Sequence, residues 1–217
     1  MLCTRRTIDE PSFPGTGEFF VSFASGTFEI DSMSTSTTSA VAEVDLRYPI
    51  GPFKRPGTVS PEKLTGCISD LERLPDELQS ALAGLQTYQL DTSYRPGGWT
   101  VRQVVHHLAD SHINCYQRFR LALTEEAPLI KVYDEKAWAE LSDAKSGPVD
   151  VSLLLLRALH ARWTALLHEL TPAHWARTFV HPEHGAMRLD QAAGMYAWHS
   201  RHHLAHIRGL REREGWE

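Results

Sequence analysis

The stretch TVRQVVHHLADSHINCYQRFRLAL, residues 100–123, decides the fold. Thr100 and Gln103 form a T-x-x-Q capping box, and Trp99 and Val104 stand where a hydrophobic staple closes a helix N-terminus. Leu108, Cys115, Phe119 and Ala122 then line one flank at helical spacing, which predicts a helix over about 101–123. Its other face is unusual for a core helix. At about 100° per residue, Gln103, His107, Ser111, Asn114 and Arg118 fall within about 40° of one line. Packing alone does not call for an unbroken polar row, so the pattern predicts the wall of an internal polar cavity.

Outward from this helix, stop and start signals mark three more. Ser60-Pro61 places a capping hydroxyl before a proline and opens a helix, kinked at Pro75, to about Leu85. Asp150 is expected to cap VSLLLLRALHARWTALLHEL, with Leu154, Leu155, Ala158 and Trp163 buried and a stop at Thr171-Pro172. Residues 178–188, TFVHPEHGAMR, suit a hairpin-like connection. Asp190 then opens a helix to about Arg213, before Gly215. Four long helices, with a long crossover between the second and third, predict an all-α four-helix bundle over residues 45–217. Residues 1–44, crowded with Ser, Thr and Gly, are expected to be a disordered, flexible N-terminal leader.

The last helix contains WHSRHHLAHIRG, residues 198–209. His199 and His203 lie about 40° apart, and an i, i+4 pair of this kind can clip one metal ion, whereas His202 lies about 60° off. A catalytic ion of the zinc type takes three protein ligands and keeps a position open, so a third must come from elsewhere. His107, on the polar row, is the candidate. Read one at a time, such histidines also suit a polar surface, and both readings stand at this point. His106, His112, His160, His168 and His174 are assigned to surface or hydrogen-bonding roles. Asp110 and His112 point to different sides of their helix, which argues against a dyad. Trp198, next to His199, is expected to edge the pocket.

Composition narrows the partners. The 217 residues carry a net charge of −5, which gives no general attraction to nucleic acid or an anionic membrane. No run approaches the about 20 apolar residues a membrane span needs. Cys3, Cys67 and Cys115 cannot all pair within one chain and none has CxxC spacing, so a reducing cytoplasm fits. The expected partner is a small molecule.

These residues carry a resemblance. From DLRYPIGPFKRPG through YRPGGWTVRQVVHHLADSHINCYQRFRLALTEE, YDEKAW and LHARWTALL to YAWHSRHHLAHI, the chain resembles the YfiT-like branch of the DinB superfamily. The resemblance implies a four-helix bundle with one divalent metal, nickel or zinc, held by His107, His199 and His203. It places His206 beside the ligands rather than among them. It also implies a homodimer, for which YPIGPFKRPG can supply a docking segment. Two activities go with the family: metal-dependent hydrolysis, and transfer of a low-molecular-weight thiol such as bacillithiol to an electrophile. An ion with an open position can activate either a water or a thiol. Thiol S-transfer is the first expectation, with Ser111, Asn114, Arg118 and Trp198 binding the cosubstrate, because Asp110 is the sole local candidate for the carboxylate base that hydrolysis normally needs. A metal-binding module without catalysis is the third reading.

Overall fold

The computed structural model describes residues 45–216. The predicted leader therefore lies outside the described residues. The elements in chain order are α1 (Pro61–Leu82), α2 (Thr87–Leu90), α3 (Val101–Thr124), α4 (Glu135–Ala139), α5 (Ser142–Ser146), α6 (Val149–His168), α7 (Pro172–Trp175), β1 (Thr178–His181), β2 (Gly185–Arg188) and α8 (Leu189–Glu214). The long helices α1, α3, α6 and α8 form a four-helix bundle. α1 packs on α6 and α8, and so does α3. The chain thus crosses the bundle diagonally from α1 to α3, with the short α4 and α5 filling the crossover to α6. Among the described residues, no helix is long and apolar enough to cross a membrane.

Local chemistry sets the ends. Thr100 Oγ1 accepts from the Gln103 amide at 3.2 Å, and Gln103 Oε1 accepts from the Thr100 amide at 3.0 Å, which closes the predicted capping box of α3. Helix α1 ends a few residues earlier than the sequence suggests. Gly84, at φ +78°, supplies the left-handed turn just beyond it. Gly215, at φ +64°, does the same after α8. Asp150 and Asp190 are not N-caps. Each sits in the first turn of a helix that begins one residue before it, where a carboxylate complements the helix dipole. The 178–188 connection is an antiparallel hairpin, with Thr178 opposite Arg188.

The expected buried face of α6 is also corrected. Leu154 is 68% exposed and Leu155 41%, Ala158 is exposed as well, and the inward residues are Leu156, Leu159, Trp163 and Leu167. A run of four leucines is apolar at every angle for a full turn, so it cannot set the phase of the helix. Trp163 sets it, packing edge-on against Phe119 of α3 with ring centroids 5.4 Å apart.

The core has two apolar clusters. One gathers Leu64, Ile68, Leu71, Phe119, Trp163 and Tyr196; the other gathers Leu74, Leu78, Val104, Leu108, Leu156 and Leu204. The sequence positions between them on α3, α6 and α8 hold histidines, so a polar layer divides the bundle at mid-height. Phe119 is fully buried in the first cluster, and its ring also meets Trp175. Phe119→Ala is expected to destabilise the protein by about 3–5 kcal/mol, measured by urea unfolding.

Candidate metal centre

Three side chains meet in the dividing layer. His107, on the polar row of α3, and His203, one turn beyond His199 on α8, are buried, whereas His199 is half-buried. His199 Nε2 lies 3.1 Å from His107 Nε2 and 3.1 Å from His203 Nε2. An Nε2 atom has one in-plane position, occupied by a hydrogen or by a lone pair, so it makes one good hydrogen bond and not two. The two close approaches to His199 Nε2 therefore exceed what hydrogen bonding can satisfy. A cation removes the conflict. For an ion bound by imidazoles at about 2.0–2.1 Å, tetrahedral ligand atoms stand about 3.3 Å apart, close to the spacing found.

The electrostatics agree with a ligand role. Burial holds the His107 imidazole down to about 4, and burial together with repulsion from neighbouring imidazoles holds His199 and His203 well below the ordinary histidine value. All three are neutral at pH 7 and present lone pairs. His203 Nδ1 is buried with no hydrogen-bond partner. The three groups that the sequence and the family resemblance single out are thus brought together, and their chemistry fits a divalent ion.

The neighbouring histidines do other work. His202 turns to stack on Trp198, with centroids 4.5 Å apart. His206 stacks on Tyr94 at 3.9 Å, and its Nε2 donates to the Arg47 carbonyl at 3.3 Å. Trp198 packs against His202 and Phe53. Its indole N–H donates to Gly51 O at 3.2 Å, because the irregular segment around residues 47–57 lies along α8 of its own chain, and Arg55 joins it there by bonding Gln191 Oε1.

The rest of the polar row continues from the ligands. Gln103 donates to Ala139 O at 2.8 Å and anchors the crossover. Ser111 Oγ lies 3.4 Å from the Tyr196 hydroxyl, and Tyr133 of the crossover reaches the same serine. Burial raises the Tyr133 phenol to about 12, so it stays a proton donor at neutral pH. Asn114 Nδ2 donates to its own helix at Asp110 O, 2.8 Å. Arg118 is 8% exposed, its Nε has no partner, and it forms no ion pair among the described residues. Its charge acts on Tyr133 and Tyr196 and on His181 of the hairpin. Asp110 is half-buried, and burial, aided by Asp143, raises its carboxyl to about 6.

Of the histidines expected at the surface or in hydrogen bonds, His112 and His160 take the second role, bonding each other at 2.9 Å. His112 and His160 are 0% and 1% exposed, in the same layer as the ligands, not at the surface. The i, i+4 and i, i+7 spacing of His112 to Tyr116 and Phe119 gave no sign of it, since its partners come from α6 and α8. A second cluster, His181, Glu183 and His184, sits at the hairpin tip. The Glu183 amide donates to His181 Nδ1 there at 3.2 Å.

Buried neutral imidazoles carry a pH signature. Burial lowers His160 from 6.5 to about 4 in the folded chain, so between those values the unfolded chain binds more protons. Stability then rises with pH across that window and falls as the solution is acidified through it. On the metal-free protein, urea unfolding should show stability declining from about pH 6.5 downward. His160 alone is worth about 3 kcal/mol by pH 4.

The DinB superfamily model matches residues 70–207. A Bacillus mycoides protein named "Putative metal-dependent hydrolase" is 57% identical over 172 residues, covering 79% of this chain and 99% of its own. A Bacillus thuringiensis protein of the same name is 55% identical with the same coverage. The solved structure of YfiT from Bacillus subtilis, described as "a probable metal-dependent hydrolase with an unusual four-helix bundle topology", is 52% identical. It superposes with a TM-score of 0.78 over 80% of this chain and 100% of that one. Matched by the superfamily model over more than half its length and by relatives over nearly all of theirs, the chain belongs to the DinB superfamily.

Proposed function

We propose that the chain is a divalent-metal-dependent thiol S-transferase, joining a low-molecular-weight acidic thiol of the bacillithiol type to electrophilic small molecules. The observation that carries this reading is Arg118. A guanidinium that is 8% exposed and lacks an acidic partner among the described residues needs an anion from outside, and it closes the polar row that begins at His107. An acidic cosubstrate supplies one. Bound by His107, His199 and His203, zinc or nickel would act as a Lewis acid that lowers the pKa of a water or a thiol.

The other residues then have defined tasks. Arg118 orients the acidic end of the thiol so that its sulfur reaches the ligand end of the row. The Tyr133 and Tyr196 hydroxyls, joined through Ser111, offer donors along the way. Asn114 keeps its Oδ1 free as an acceptor while its amide is tied to Asp110 O. Hydrolysis is the second reading, favoured by Asp110. A carboxyl raised to about 6, one turn from His107, suits a general base at neutral pH, and the relatives' names point the same way.

Zinc-loaded protein incubated with an acidic thiol and a chlorodinitrobenzene electrophile should consume thiol, and His199→Ala should abolish this. Arg118→Met should raise KM for the acidic thiol about 10–100-fold while leaving a neutral thiol little changed. Turnover of an ester or amide panel without thiol consumption would establish the hydrolase instead, and turnover of neither would leave a non-catalytic metal-binding module. Elemental analysis should find about one metal per chain, lost in His107→Ala and His203→Ala.

A further inference from the structure

A chain of hydrogen bonds crosses the bundle at the level of the ligands and touches every long helix. It starts at Pro75 in α1. Proline has no N–H, so the Leu71 carbonyl, four residues earlier, lacks its usual helical donor. His160 Nδ1 of α6 approaches that oxygen at 2.6 Å. His160 Nε2 is 2.9 Å from His112 Nδ1 of α3, and His112 Nε2 is 3.2 Å from His199 Nδ1 of α8.

The direction of this chain is determined at its start. A carbonyl can only accept, so His160 Nδ1 carries the hydrogen. His160 is 1% exposed and its hydrogen-bond partners are that carbonyl and His112, with no carboxylate to support an imidazolium. Its Nε2 is therefore a lone pair, and it accepts from His112 Nδ1–H. By the same logic His112 Nε2 accepts from His199 Nδ1–H. The remaining nitrogen of His199, Nε2, is left as a lone pair, aimed at the other two ligand atoms.

We infer that His112 and His160 are positioning residues: with the Leu71 carbonyl freed by Pro75, they lock His199 in the tautomer and ring orientation that presents Nε2 to the metal. The tautomer order stands on hydrogen bonding alone, whereas its purpose rests on the metal-centre reading proposed above. Partners that orient a ligating histidine through its other nitrogen typically contribute 10–100-fold in metal affinity. Here the partner is a relay rather than a single carboxylate or carbonyl, and it makes each helix of the bundle a support for one ligand.

Long-range 1H–15N correlation spectra of the metal-free full chain at neutral pH should show His160, His112 and His199 each protonated on Nδ1. An Nε2–H tautomer at His112 or His199 overturns the relay, and this readout needs no variant to fold. His112→Phe keeps an aromatic ring against Trp163 and Tyr196 but removes the acceptor. With its far-UV spectrum intact, it should bind zinc about 10–100-fold more weakly than the parent. His112→Gln, which retains an acceptor facing His199, should recover most of that loss. Equal zinc affinity in folded His112→Phe and the parent would contradict the inference. Zinc binding by the parent that is indifferent to His107→Ala and His203→Ala would instead overturn the metal-centre reading, and with it the relay's purpose.

Discussion

The rest of the structure is organised around one constraint: three neutral imidazole nitrogens, from two neighbouring helices, converge within the core of a bundle. His199 Nε2 has two nitrogens at 3.1 Å and one orbital with which to meet them. Imidazoles left to themselves would separate or exchange protons. They stay together because α3 and α8 are pinned by apolar clusters above and below, and because the imidazoles that support them, such as His112 and His160, are also held inside. The same burial that would make a charged histidine costly makes these histidines neutral, and neutral imidazole is the form that can bind a cation.

The layer therefore acts at two levels. It divides what would otherwise be one continuous apolar core, at a cost in burial that Leu71, Phe119 and Trp163 on one side and Leu74, Leu108 and Leu156 on the other offset. It also holds the three converging imidazoles, and the polar row of α3 runs on from them to the buried Arg118. The segment around residues 47–57 lies along α8 through Trp198, His206 and Gln191, so residues beside the ligands on that helix are occupied by the chain itself.

Much of this was legible in the residues because the relevant physics is local. The capping box of α3, the glycine after α8 and the hairpin follow from hydrogen bonds within a few positions. His199 and His203 follow from helical spacing, and His107 from a polar row that a core helix does not need. What was not legible depends on partners distant in sequence. The leucine run of α6 can face any direction until Trp163 finds Phe119. Trp198 adjoins a ligand in sequence, yet its indole is taken by Gly51. His112 and His160 read as ordinary helix histidines, since nothing near them in the chain reveals that each will be the other's hydrogen-bond partner across two helices, or that Pro75 frees the carbonyl that orders both.

The central claim is that these three imidazoles bind one ion and leave room for a reactant. X-ray absorption at the zinc edge of the stoichiometrically loaded protein tests it most directly. The account predicts three imidazole nitrogens at about 2.0–2.1 Å with one or two further light-atom ligands that exchange with added thiol. A shell with fewer than three imidazoles, or one closed by four protein ligands and unchanged by thiol, would contradict it.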